Sequence, residues 1–96
     1  MDPEPLTLDF YTKDDCPLCE EAWAALERAL ARVQDVPAQI RTRDIRSDTG
    51  WFETYKWLVP VVELEGRRLA IYRVNERLLA KTLRRAWRER TRAHSG

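Results

Sequence analysis

Cys16 and Cys19 are the two cysteines of this chain, and they stand two residues apart in Cys16-Pro17-Leu18-Cys19. Thiols at that spacing can close a disulfide or open to a dithiol, so the pair reads as a site of thiol–disulfide exchange. The residues before it, Leu6 to Tyr11, alternate apolar and polar as a strand does, whereas a helical period begins at Pro17. A cysteine at such a junction meets the unpaired N–H groups and positive dipole end of the helix, and both favour its thiolate. The helix-spaced apolar residues Cys19, Ala22, Trp23, Leu26, Leu30 and Val33 place Cys19 on the buried face and Cys16 at the tip. One sulfur is therefore expected to meet solvent and the other to be withheld in the core. A structural disulfide or a pair of idle thiols is the competing reading, and the position of Cys16 outside the stripe disfavours it. A structural zinc site wants four ligands, and His94 is the single histidine, so no metal is expected.

Ninety-six residues with 34% charged side chains and a net charge of +1 describe one globular domain, 1–96. No apolar run is long enough to cross a bilayer, and no contact with membrane is expected. The opening Met1-Asp2-Pro3-Glu4-Pro5 is acidic and lacks the apolar region of a secretory signal. The expected location is cytoplasmic, where thiols are kept reduced and a close cysteine pair is catalytic more often than structural. Charge is polarised along the chain: residues 1–35 carry nine acids and three bases, residues 76–96 seven bases and two acids. The basic final segment reads first as a solvated helix face, so nucleic acid is not an expected partner, and a monomer is the expected state.

The elements that must position the cysteines follow from local pattern. Leu6–Tyr11 is the first strand and Pro17 opens the first helix, with Glu20 and Glu21 suited to its positive end. Asp35 to Pro37 breaks that helix, and Gln39 to Ile45 reads as a second strand. Ser47 or Asp48 can cap a short helix bearing Trp51, Phe52, Tyr55, Leu58 and Val59 on one side, which Pro60 ends. Pro60–Leu64 and Arg68–Tyr72 form a hairpin about Glu65-Gly66, and Asn75 caps a last helix with the stripe Leu78, Leu79, Leu83, Ala86 and Trp87. The leader 1–5 and the tail 92–96 are expected to fray. The order is β-α-β-α-β-β-α, an α/β arrangement with a mixed four-stranded sheet covered by helices.

This element order, with Cys16-Pro17-Leu18-Cys19 after the first strand and Val59-Pro60-Val61-Val62 opening the third, resembles the thioredoxin superfamily, and most of all a small bacterial glutaredoxin-like protein. The resemblance implies a thioredoxin-like fold from about Leu6 to Arg90. It also implies a cis Val59–Pro60 bond against the cysteine pair, with Val59 offering backbone groups to an extended substrate. Lys13 matches a lysine that glutaredoxins hold near the thiolate, and Tyr11 an aromatic that often precedes the site. Leu8-Asp9-Phe10-Tyr11 is similar to a thioredoxin strand whose buried aspartate assists proton transfer at the second cysteine. The alternative for Asp9 is a carboxylate simply satisfied at a strand face. Where glutaredoxins place a glycine pair and an aspartate for glutathione, this chain reads Tyr72-Arg73-Val74-Asn75-Glu76-Arg77.

The resemblance implies a disulfide reductase in which Cys16 attacks, Cys19 resolves and Pro17 stiffens the loop between them. Its partners would be disulfide-containing protein substrates, with glutathione or a thioredoxin reductase as electron donor. No cofactor is expected beyond glutathione as a candidate co-substrate, and an iron–sulfur cluster shared between two chains, as some glutaredoxins hold with glutathione, stays open. Asp14, Asp15, Glu20 and Glu21 oppose the effect of Lys13 on Cys16, which points to a reductant rather than an oxidant. Two other functions fit the same residues: a non-catalytic interaction module using the basic last helix, and a thiol redox sensor. Among the aromatics, Trp57 lies off the short helix's stripe and is the best candidate for the surface.

Overall fold

The first strand, β1 (Leu6–Thr12), is buried on both faces, and the rest of the chain is arranged to cover it. Leu6, Leu8 and Phe10 point to one side of the sheet, and Asp9 and Tyr11 to the other. The computed structural model describes residues 2–95; Met1 and Gly96, the ends of the expected leader and tail, lie outside the described residues. β2 (Ala38–Asp44) pairs parallel to β1, with Leu8 opposite Ile40. β3 (Val61–Leu64) pairs antiparallel on the other side of β1, with Phe10 opposite Val62, and β4 (Arg67–Ile71) pairs antiparallel to β3. The sheet order is β2-β1-β3-β4, the mixed four-stranded sheet that the element order implies.

A parallel neighbour needs a crossover, and α1 (Pro17–Arg32) supplies it. Its buried stripe of Cys19, Ala22, Ala25, Leu26 and Ala29 is rich in small side chains, which lets the helix lie close over the sheet. Trp23 meets Phe10 edge to face with ring centroids 5.4 Å apart, which fixes α1 on the Leu6/Leu8/Phe10 side. α3 (Glu76–Ser95) packs beside α1 through Leu79, Ala80 and Leu83. The two helices are laced by Glu76, which accepts from Arg28 at 2.7 Å and from Arg32 at 2.5 Å, and Arg84 adds a bidentate pair to Asp35. On the other side, the short α2 (Thr49–Tyr55) seats Tyr55 on Tyr11 in a stacked pair 4.1 Å between centroids. Among the described residues, no helix is long and apolar enough to cross a membrane.

Side-chain caps set most boundaries. Asp48 accepts from the Trp51 N–H and Asn75 from the Leu78 N–H, each at 2.9 Å, so both expected caps are present. β2 stops at Asp44, one residue short of the expected end. The Asp44 carboxylate accepts from the Arg46 N–H and turns the chain into a single helical turn, Ile45–Ser47, that buries Ile45. α3 runs to Ser95, beyond the expected fraying point at Arg92. Its far end is tied down by Arg90, which donates to the carbonyls of Glu4 and Pro5 at 2.9 Å and pairs with Glu65. Among the bases of the final segment, Arg84 and Arg90 are thus engaged within the fold.

The β3–β4 hairpin turns through Glu65 at φ 50° and Gly66 at φ 83°, the two left-handed positions of a two-residue hairpin turn. A Cβ on Gly66 would meet nothing within 4 Å, so only backbone strain opposes a side chain there. Gly66→Ala is expected to destabilise the fold by about 1 kcal/mol. The reading is a lower urea midpoint with an unchanged slope.

Candidate functional site

Cys16 occupies the N-cap of α1 in an extended conformation, and Pro17 takes the first helical position, where its missing N–H costs nothing. The Cys16 carbonyl accepts from the N–H groups of Cys19 and Glu20 at 3.0 and 3.1 Å, while its Sγ accepts from the Cys19 N–H at 3.2 Å. The chain reaches this position through Asp15, whose φ of 54° bends it sharply out of β1; aspartate is among the few side chains that tolerate that conformation. Cys16 and Cys19 form a disulfide with Cα atoms 5.2 Å apart. Cys19 is 3% exposed and Cys16 is half-buried, so the first cysteine is the more open to solvent.

Two clefts flank Cys16. One, of about 460 Å³, runs over Phe10 and Trp23 to Lys13, Asp15 and Glu20. The other, of about 390 Å³, lies between Pro17, Leu18, Trp57 and Val59. Lys13 and Asp15 line both, so Lys13 borders the sulfur's surroundings on each side. The Val59–Pro60 bond is cis, and Val59 shares the second cleft with Cys16. The Val59 N–H is already bonded to the Tyr55 carbonyl at 3.1 Å. That corrects the expectation that both Val59 backbone groups would be open to a substrate: only its carbonyl is left for the purpose.

The charge balance near Cys16 also differs from the sequence expectation. Asp14 is ion-paired with Arg46, and Glu21 lies 3.8 Å from Arg73. Counting acids along the chain overstated the opposition to a thiolate, because these arginines arrive from distant segments. Asp15 and Glu20 are the two acids near Cys16 without a charged partner among the described residues. Cys16 itself stands at the positive end of α1, and Lys13 lines the clefts on either side of it.

Asp9 and Tyr11 stand elsewhere. Strand alternation turns both to the α2 side of the sheet, away from Phe10, which borders the cysteine cleft. Arg41 donates to both Asp9 carboxylate oxygens at 2.8 and 2.9 Å, and Arg43 to one of them at 3.1 Å. Burial alone would raise the Asp9 pKa, but the hydrogen bonds and charges of Arg41 and Arg43 together hold it below the ordinary carboxylate value. A carboxylate so held, on the face opposite Cys19, serves the sheet and not the sulfur. Tyr11 is likewise a packing residue, stacked on Tyr55 and edge-on to Trp51 at 5.9 Å. Burial, and after it the hydrogen bond to Glu63 at 2.7 Å, raises the Tyr55 phenol pKa and keeps it a neutral donor.

Sequence reasoning missed Arg46, Arg73 and Tyr72. Tyr72 adopts φ 65° just after β4 and donates its hydroxyl to the Trp57 carbonyl at 2.9 Å, bracing the loop that borders the second cleft. No local signal announces such a contact across 15 residues. No group of three or more histidine, cysteine or acidic side chains that could hold a metal ion exists among the described residues. A separate apolar groove between the hairpin and α3, lined by Val62, Leu69, Val74 and Leu78, includes no charged side chain.

The model of the family described as "Glutaredoxin-like domain (DUF836)" matches residues 7–84. Among solved structures, a structural-genomics target protein from X. campestris is similar at 29% identity and a TM-score of 0.65, covering 81% of this chain and 96% of that one. The germline-specific thioredoxin Deadhead from Drosophila melanogaster matches at 19% identity and TM-score 0.58, covering 84% and 80% of the two chains. A single-site mutant of thioredoxin from Halobacterium salinarum matches at 20% identity and TM-score 0.61, covering 85% and 74%. The last two, at those identities, speak for the fold.

The Asp9 cluster carries a pH signature. Because its folded pKa lies below its unfolded one, Asp9 contributes stability that is present above the ordinary carboxylate value of 3.8 and lost as the pH falls through the folded pKa. Replacing Arg41 and Arg43 together by Ala leaves a buried unpaired carboxylate, and about 2 kcal/mol should be lost at neutral pH. Urea unfolding at pH 7 and at pH 3.5 should show the gap to wild type shrinking in acid. A constant gap would mean that the arginines act through packing alone.

Proposed function

Since this chain belongs to the glutaredoxin-like domain family, with a thioredoxin-like fold and a close cysteine pair, we propose that it is a thiol–disulfide oxidoreductase acting as a disulfide reductase. The observation that carries the proposal is the asymmetry of the pair: Cys16 is approachable at the N-cap of α1, and Cys19 is buried one turn behind it. In the reduced state the Cys16 thiolate attacks one sulfur of a substrate disulfide. A Cys16–substrate bond forms, and the other substrate sulfur leaves as a thiolate that takes a proton from water. Cys19 then loses its proton and attacks the Cys16 sulfur, closing the Cys16–Cys19 disulfide and releasing the second substrate thiol. The substrate gains two electrons and the protein's dithiol loses them; an external dithiol, or two molecules of glutathione, restores it.

Local parts have distinct roles in this scheme. The α1 N-terminus and Lys13 favour the attacking thiolate, and burial keeps Cys19 from reacting ahead of the mixed disulfide. Val59 presents its carbonyl to an extended substrate backbone beside the sulfur. Asp9 has no place in the proton transfer at Cys19, since it is held by arginines on the opposite side of the sheet. The working direction is reduction, in a compartment that keeps thiols reduced, and the donor is a reductase or glutathione. With Tyr72 and Arg73 where a glycine pair would seat glutathione, a protein dithiol donor is the better-supported choice.

Cys16→Ser should abolish disulfide reduction, and Cys19→Ser should stop the reaction at a mixed disulfide that mass spectrometry detects as a covalent adduct. A Cys16→Ser variant that still reduces disulfides would overturn the assignment. Offering glutathione and thioredoxin reductase separately in a reduction-potential titration identifies the donor. If Cys16→Ser leaves every property of the protein unchanged, the interaction-module reading gains instead.

A further inference from the structure

The cleft beside Cys16 contains a side chain that neither the fold nor the exchange chemistry requires. Trp57 is 80% exposed, the most exposed of the large apolar residues among those described. The backbone that carries it is braced. Its carbonyl accepts the Tyr72 hydroxyl at 2.9 Å, and the next two N–H groups, of Leu58 and Val59, both bond to the Tyr55 carbonyl at 2.8 and 3.1 Å. The Lys56 ammonium lies 5.9 Å from the Trp57 ring centre and is held by Glu53 at 3.1 Å. An indole kept in water on a loop with a braced backbone can bind without that backbone first being ordered, which lowers the cost of using it as an interface anchor.

We infer that Trp57 is a specificity residue: it packs against an apolar side chain next to the cysteine of an extended protein disulfide, and so selects protein over glutathione disulfides. The inference rests on the oxidoreductase reading and names the substrate class of that same site. Trp57 and Cys16 share one cleft with Pro17, Leu18 and Val59, so a disulfide that reaches the Cys16 sulfur lies within reach of the indole. Lys13, Asp15 and Lys56 also line the cleft, but beside the indole Pro17, Leu18 and Val59 give it apolar walls that suit a hydrocarbon side chain. Glutathione flanks its cysteine with a glutamyl group and glycine, neither of which covers an indole.

The test is a single-turnover reaction of pre-reduced protein with peptide disulfides whose cysteine is flanked by leucine or by serine, and with glutathione disulfide. Wild type should half-saturate at about ten-fold lower concentration with the leucine peptide. Trp57→Ala should erase that preference while leaving the limiting rate and the glutathione disulfide rate unchanged, and Trp57→Phe should recover part of it. A preference that survives in Trp57→Ala, or is absent in wild type, overturns the inference. Equal slowing of all three substrates in Trp57→Ala also overturns it, since that marks a loop disturbed as a whole. Failure of wild type to react with any disulfide strikes the oxidoreductase reading itself, and this inference falls with it.

Discussion

The structure depends on burying β1 on both faces. A strand covered on one side can alternate apolar with polar, but here the second face must also be made dry, and it contains Asp9. Leu6, Leu8 and Phe10 are covered by α1 and α3, which is hydrophobic packing of the ordinary kind. The other face is closed by a mixed device: Tyr11 stacks under Tyr55, and Asp9 is neutralised by Arg41 and Arg43 from the neighbouring parallel strand. The in-register pairing of Asp9 with Arg41 makes the second part possible, because same-face side chains of paired strands are direct neighbours.

The redox corner is a consequence of that arrangement. With β1 fixed, the chain leaves its end through Asp15 and enters α1, whose stripe of small residues must lie over Phe10. Docking α1 this way sends Cys19 inward with Ala22 and Leu26, and leaves Cys16 at the cap. From the other side, antiparallel pairing of β3 with β1 brings the start of β3, and so Val59 and Pro60, to the same end of the sheet as the cysteines. The asymmetry between the sulfurs is thus a packing result rather than a property of the four-residue motif.

Much of this was legible beforehand, for identifiable reasons. Cap residues and turn chemistry act over three or four residues, so Asp48, Asn75 and the Glu65-Gly66 turn could be read directly, and each is where the pattern put it. Periodicity likewise revealed the inward face of α1. Asp9 and Tyr11 are tied to the site only by the resemblance, and for Asp9 the alternative, a carboxylate satisfied at a strand face, is the arrangement the arginines make. In a strand, neighbouring residues face opposite ways, and that alone separates Asp9 from Cys19. The acids around Cys16 were overcounted because their partners Arg46 and Arg73 come from other elements.

What the sequence determined by itself was therefore everything governed by short-range rules: the cysteine pair and its place at a helix cap, the order of elements, and the apolar stripes. Tertiary structure alone decided which charges cancel, that the Val59 N–H is already engaged, and that Trp57 is braced by Tyr72 beside Cys16. These depend on contacts between segments far apart in the chain. Such contacts exist only after burial has fixed the relative positions of the elements, and no local pattern encodes them.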